Sequence, residues 1–271
     1  VTVPLSFLWL AAGCAAPDPS PWRVVWEDEF VGPAGSGVDP ANWAADVGGD
    51  GWGNEQLEFD TAGTRNVDLD GNGFLRITAR REAFGGRAWT SGRIRTAGLQ
   101  SFTYGRIEAR ILLPEGKGLW PAFWMLGDDH AVAGWPACGE IDVVELRGEA
   151  PAEVLGTVHG PGYSGGQSVG STLVAAEGAW TDDFHVYAVE WDPRIIAWFV
   201  DDELLGTVTA GDLPADAPWV FDHPFTLLLN LAVGGTFLEE PDDTTPDRAV
   251  MGVDYVRVSE RAVPLGGSVD P

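Results

Sequence analysis

Along most of this chain, apolar and polar side chains alternate over short runs, and no stretch carries a sustained helical period. GFLRITARR (73–81) alternates clearly and follows the turn-forming DLDGNG (68–73). GRIEARILL (105–113) sets Arg106, Glu108 and Arg110 against Ile107, Ala109 and Ile111. WRVVWEDEF (22–30), FHVYAVEW (184–191), FTLLLNLAV (225–233) and VDYVRV (253–258) are strand-like too. IIAWFV (195–200) passes through a turn at Asp201-Asp202 into LLGTVT (204–209). A strand shows alternate side chains to opposite faces, so many short strands with Gly and Pro turns must stack sheet on sheet. The prediction is an all-β fold, an antiparallel β-sandwich or jelly roll.

The 271 residues fit one such unit, and an apolar fraction of 45% with 13 Trp supplies its core. A net charge of −25, from 41 acids and 16 bases, repels phosphate backbones and argues against nucleic acid as a partner. It suits a neutral substrate, or a secreted protein in salty surroundings. Residues 1–14, VTVPLSFLWLAAGC, read as an apolar export segment, too short to span a bilayer as a helix. LAAGC resembles a bacterial lipoprotein signal with Cys14 as the lipidated residue and membrane attachment point, although Ala11 stands where Leu is usual. The alternative is an ordinary secretory signal with a chance Cys. A Pro-rich tether occupies 15–21, the folded domain 22–260 and a tail 261–271. The expectation is an exported monomer, extracellular or on the cell surface. Two Cys make no disulfide framework, and Cys138 is expected as a lone buried thiol.

The chemistry concentrates in WPACGEIDVVELRG (135–148), where Glu140, Asp142 and Glu145 lie within six residues. On a strand rich in β-branched residues, Glu140 and Asp142 share a face while Ile141 and Val143 point the other way. Glu145 is out of step. A single β-bulge returns it to the acidic face, since a bulge inserts one residue and re-aims the side chains after it. A regular strand would leave the Glu140 and Glu145 Cα atoms roughly 16 Å apart, and a bulge shortens this. Glycoside hydrolysis uses two carboxylates, and a third nearby tunes their ionisation. A metal-binding or merely solvated acidic face is the competing reading.

Upstream, GLWPAFWML (118–126) puts Trp120, Ala122 and Trp124 on one face, with Phe123 and Met125 on the other. Flat indoles suit the apolar face of a sugar ring, and equally a protein core. GWGNEQ (51–56) is a Gly-rich loop carrying an aromatic. Arg93 is either a ligand-facing donor or a structural partner for a carboxylate. His159 closes the small strand GTVH and stands either as a structural histidine or as a donor beside the acid site.

Several stretches together resemble glycoside hydrolase family 16 in its laminarinase (endo-1,3-β-glucanase) branch. They are DEF (28–30), GWGNEQLEF (51–59), TSGRI (90–94), YGRIEARILLPEGKGLWPAFWML (104–126), WPACGEIDVVE (135–145), FHVYAVEW (184–191), LNLAVGG (229–235) and VDYVRV (253–258). The resemblance implies a concanavalin-like jelly roll with a concave substrate cleft, and a retaining endo-hydrolase of 1,3-β-glucan. Glu140 would be the nucleophile, Glu145 the general acid/base, and Asp142 the residue between them that orients the nucleophile. Asn54, Arg93, Trp120, Trp124 and His159 match positions lining the glucan cleft. No cofactor is needed for the chemistry. A structural calcium ion is common in the family, and the matching positions are Glu29 and Gly73, through backbone oxygens, and Asp254. Oxygen donors of this kind suit calcium, though the site can stand empty. Two departures touch the cleft rim: Asp60 replaces the usual Tyr, and Thr236-Phe237-Leu238-Glu239 follows AVGG. Galactan or mixed-linkage specificity, transglycosylation, and non-catalytic glucan binding are the alternatives on the same sandwich.

Overall fold

The computed structural model describes residues 21–262. Cys14 and the leader, the tether except Pro21, and residues 263–271 of the tail lie outside the described residues. Strands follow one another with little else between them. The first are β1 (Trp22–Asp28), β2 (Ala44–Asp46), β3 (Glu58–Asp60), β4 (Val67–Leu69) and β5 (Leu75–Phe84). Then come β6 (Arg87–Ser91), β7 (Arg93–Arg95), β8 (Gly105–Leu112), β9 (Leu119–Gly127) and β10 (Glu140–Leu146). The last are β11 (Glu153–His159), β12 (Val169–Val174), β13 (His185–Asp192), β14 (Ile195–Val200), β15 (Glu203–Thr209), β16 (Phe225–Val233) and β17 (Arg248–Arg261). No described helix is long and apolar enough to cross a membrane.

The strands form two sheets. Seven run in the order β12-β11-β10-β9-β16-β7-β2, and ten form the other, with β15-β14-β13-β8-β17-β5-β6-β3 as its path. Pairing is antiparallel throughout except between β3 and β6. Ile107 and Ile111 of the larger sheet, and Phe123, Met125, Ile141 and Leu229 of the smaller, have no exposed surface. Each such side chain contributes about 1.5–3 kcal/mol on burial, which fixes which face of each strand turns inward. On the outer face of the larger sheet, Arg106 pairs with Glu108, Glu190 and Asp202, and Arg110 pairs with Asp254.

The long alternating runs are strands as the sequence pattern predicts. The three-residue strands β2, β3, β4 and β7 are not visible there, because pairing with longer neighbours holds them. The C-terminal boundary moves slightly. Arg261 pairs with Trp22, and the Ala262 N–H donates to Pro21 O at 2.7 Å, so the ladder runs two residues beyond position 260. Cys138 is a free, buried thiol.

One contact across the core bears directly on the acidic strand. Trp198 of β14, 1% exposed, donates its indole N–H to the Asp142 carbonyl oxygen at 2.7 Å. A Cβ on Gly156 would lie 2.3 Å from Trp198 Cδ1, so the glycine of β11 makes room for that ring. Trp198→Phe, which removes the donor and part of the ring, is expected to cost at least about 1–3 kcal/mol, read as a lower urea midpoint at unchanged slope. An unchanged midpoint would show that the indole contributes no anchoring.

Candidate active site

Between Asp142 and Val144 the register of β10 on β9 slips by one residue, Asp142 facing Trp124 and Val144 facing Phe123. The β11 side shows the same slip, from Asp142 opposite Thr157 to Glu145 opposite Leu155. This is the bulge that the out-of-step Glu145 demanded. Ile141, Val144 and Leu146 stay in the core at 1% exposure or less. Glu140, Asp142 and Glu145 emerge together on the outer face of the seven-stranded sheet, linked there through Thr157 and His159.

Neighbouring strands furnish the surroundings in register. Arg93 lies opposite Asn230, Asn230 opposite Ala122, and Ala122 opposite Glu145. Glu140 lies opposite His159. Thr157 donates its hydroxyl to Asp142 Oδ2 at 2.5 Å and stands 3.4 Å from Glu145 Oε2. His159 Nε2 is 3.1 Å from Asp142 Oδ2 and 3.8 Å from Glu140 Oε1. Two indoles close the ends of the row. Trp135 donates to Glu140 Oε2 at 2.9 Å, and Trp120 donates to Glu145 Oε1 at 2.9 Å.

Burial, then the neighbouring Asp142, pushes both Glu140 and Glu145 up to about 8, against the pull of His159. Their remaining neighbours separate them. Arg93 favours the charged form of Glu140, whereas Glu140 itself disfavours charge on Glu145. For His159, burial opposes a charged ring, but Asp142 and the two glutamates outweigh it and push the imidazole up to about 9. The Gly165 N–H, 3.0 Å from His159 Nδ1, pulls the other way, because only a neutral ring can accept there. In either charge state the ring keeps a proton on Nε2 facing Asp142 Oδ2.

Aromatic walls stand beside the acids. Arg93 is bonded to Asp46 Oδ2 at 3.0 Å, and its guanidinium lies 4.6 Å from the Trp52 ring centre and 4.8 Å from that of Trp124. Arg93 is thus a carboxylate partner and a wall element together. Trp124 N–H is held by Asn230 Oδ1 at 2.7 Å, leaving its ring face as the presented surface. Phe237 packs on Trp120 at 5.0 Å. Asn54 is exposed on its loop, and its carbonyl accepts the Thr236 N–H at 2.8 Å, which sets it on the rim near Trp120 rather than in the acid cluster. Glu29, Gly73 and Asp254 belong to the ten-stranded sheet and its loops, apart from this row.

Trp135, Thr157, Asn230 and Gly165 escape a reading of the sequence. Thr157 had a signal, since two residues before His159 on a strand means the same face. Trp135 lies inside the acidic motif itself. Glu140, Asp142 and His159 bring ligand atoms within 4.8 Å of one another, which would suit a metal in donor type. Hydrogen-bond donors aimed at all three carboxylates favour acid–base chemistry over that reading.

Comparison with known proteins agrees. The family model "Glycosyl hydrolases family 16" matches residues 53–256. A "Beta-glucanase" of Rhodothermus marinus is 45% identical over 248 residues, covering 88% of this chain and 85% of that protein. A "Glucan endo-1,3-beta-glucosidase A1" of Niallia circulans is 38% identical over 264 residues, where the match covers only 37% of that longer protein. Among solved structures, the endo-β-1,3-glucanase of Pyrococcus furiosus superposes with a TM-score of 0.84 at 44% identity, covering 89% of this chain and 95% of that one. Sequence, fold and the bulged acidic strand converge: the chain belongs to glycosyl hydrolase family 16.

Proposed function

We propose that this protein is a retaining endo-hydrolase of 1,3-β-glucan. The observation that carries the reading is the bulge, which puts Glu140 and Glu145 on one face with Asp142 between them. Family membership and the endo-1,3-glucanase relatives supply the substrate class. In the first step Glu145, protonated, gives its proton to the leaving glucosyl oxygen while Glu140 attacks the anomeric carbon. Glu145, now a base, then takes a proton from water as that water releases the sugar from Glu140. Asp142, held by Thr157 and His159, stands between the two glutamates and disfavours charge on both, while Arg93 favours it on Glu140. Trp120, Trp124 and Phe237 offer ring faces to the glucan, and Asn54 offers a rim contact.

Glu140→Gln and Glu145→Gln are each expected to remove nearly all turnover on laminarin while leaving a cooperative melt. Turnover close to that of the unmutated protein in either variant refutes its role. Since Glu145 must enter the reaction protonated, kcat is expected to fall as pH rises through about 8. A parallel panel separates the alternatives. Activity on agarose or mixed-linkage glucan alone would keep the mechanism and replace the substrate. Binding of laminarin without cleavage would make the protein a sensor.

A structural calcium ion is a separate proposal. Gly73 stands near the Glu29 carbonyl, where an added Cβ would meet that oxygen at 3.9 Å, and Asp254 brings a carboxylate. These are hard oxygen donors. Asp254 Oδ2 is already paired with Arg110 Nη1 at 2.7 Å, so a cation there competes with a guanidinium. Calcium is expected to raise the melting temperature of EDTA-treated protein. No shift at millimolar calcium would leave the Arg110 pair as the tie at this position.

Export and lipid attachment at Cys14 form the last part of the proposal, supported by the apolar leader and a polymeric substrate. Expression with the leader in a bacterial host, followed by fractionation, should place the protein outside the cytoplasm. Cytoplasmic retention with the leader uncleaved counts against it.

A further inference from the structure

Two buried acids take no part in the chemistry above. Glu58 and Asp60 lie two apart on β3, at 1% and 2% exposure. Glu58 Oε2 accepts the Val233 N–H at 2.9 Å, and Asp60 Oδ2 accepts the Trp52 indole N–H at 2.8 Å. Asp60 Oδ1 is buried with no hydrogen-bond partner. An ionised oxygen in that setting is costly, and a neutral carboxyl much less so.

The surrounding charges do not balance two further anions. From β2 comes Asp46, bonded at 3.0 Å to Arg93 and at 2.5 Å to Arg95 of β7. Arg87 of β6 is turned to Gly49 O, while Asp50 and Glu55 on the adjoining loop are exposed to water. Asp46 has both Arg93 and Arg95, whereas Glu58 and Asp60 have the charge of Arg93 alone, and Asp46 already shares it.

We propose that Asp60 is a positioning residue for the cleft, acting through Trp52, and that β3 stays packed only while the Glu58–Asp60 pair holds a proton. The indole that Asp60 holds stacks on Arg93, and Arg93 stacks in turn on Trp124 beside the acid row. With the proton in place, β3 stays packed and Trp52 stays against Arg93. When it is lost, two adjacent anions are buried beside one another. β3, only three residues long and at the end of the sheet path, then shifts to hydrate them and carries Trp52 off the wall. The direction agrees with the acids themselves. Burial, then Asp60, raises Glu58 to about 8, and burial raises Asp60 to about 7 against Arg93. The folded pair therefore binds more protons than the unfolded chain, and the packed arrangement weakens as pH rises through that range.

The proposal rests on the 1,3-β-glucan reading only for its choice of ligand. The Trp52 indole N–H is followed by 1H–15N spectroscopy from pH 5.5 to 9, in ligand-free protein carrying Glu140→Gln. Laminarihexaose affinity is measured calorimetrically over the same range. The indole resonance is expected to titrate between about pH 7 and 8, with affinity falling about tenfold, equivalent to about 1.4 kcal/mol. Adding Asp60→Asn should flatten the indole curve and leave in the affinity only the pH dependence that Glu145 and His159 contribute. Curves that persist unchanged in the Asp60→Asn protein overturn the proposal. Should that variant not fold, Glu58→Gln serves, since removing one of two coupled acids must move the indole midpoint to lower pH. A midpoint left in place overturns it equally. If the parent fails to bind laminarihexaose at any pH, the substrate reading falls while the indole titration still decides the role of Asp60.

Discussion

One extra residue in β10 decides whether this protein has a site at all. Without the slip at Asp142–Val144, Glu145 would point into a core packed by Phe123, Ile141 and Leu229. A buried carboxylate there would have no partner, at a cost far beyond what a single strand contributes. With the slip, Val144 takes the inward place and Glu145 the outward one. A bulge interrupts the ladder locally, and it is here that Trp198 reaches from the opposite sheet to the Asp142 carbonyl. The bulge is thus anchored from the core side by a ring that Gly156 leaves room for. Packing between the sheets and the placement of three carboxylates are one problem with one solution.

The second constraint is to make like residues behave differently. Glu140 and Glu145 are chemically identical and share burial and the same neighbouring Asp142. Their asymmetry comes from the groups around them. Glu140 feels Arg93 and takes the Trp135 N–H, whereas Glu145 feels Glu140 and takes the Trp120 N–H. Asp142 can stand between them because Thr157 and the Nε2 proton of His159 both converge on its Oδ2. The Gly165 N–H behind the imidazole sets that tautomer. Each of these groups bears on the ionisation of one of the three carboxylates.

Much of this was legible in the sequence, for a physical reason. Period-two alternation is a local property, so the long strands of the sandwich could be read directly from it. The phase error at Glu145 is local as well, and it announced the bulge. Tertiary partners are not local. Arg93 read equally as a donor or as a carboxylate partner until Asp46, 47 residues earlier, settled it. Trp198, 56 residues after Asp142, carries no signal of its own. The strands of three residues are too short to show a period, and Phe237 could be noted only as a departure until Trp120 was seen beneath it.

The chain's excess of acid finally bears on how the cleft wall is built. With 41 acids against 16 bases, a guanidinium near the site is a scarce counter-charge, and Arg93 serves several partners at once. It neutralises Asp46, stacks between Trp52 and Trp124, and lends positive potential to Glu140. Arg93 also favours charge on Glu58 and Asp60, but burial outweighs it. The same scarcity that makes Arg93 central to the wall therefore leaves the acids behind Trp52 dependent on protons. Aromatic placement in this cleft follows from charge balance beneath it as much as from the shape of the sheet.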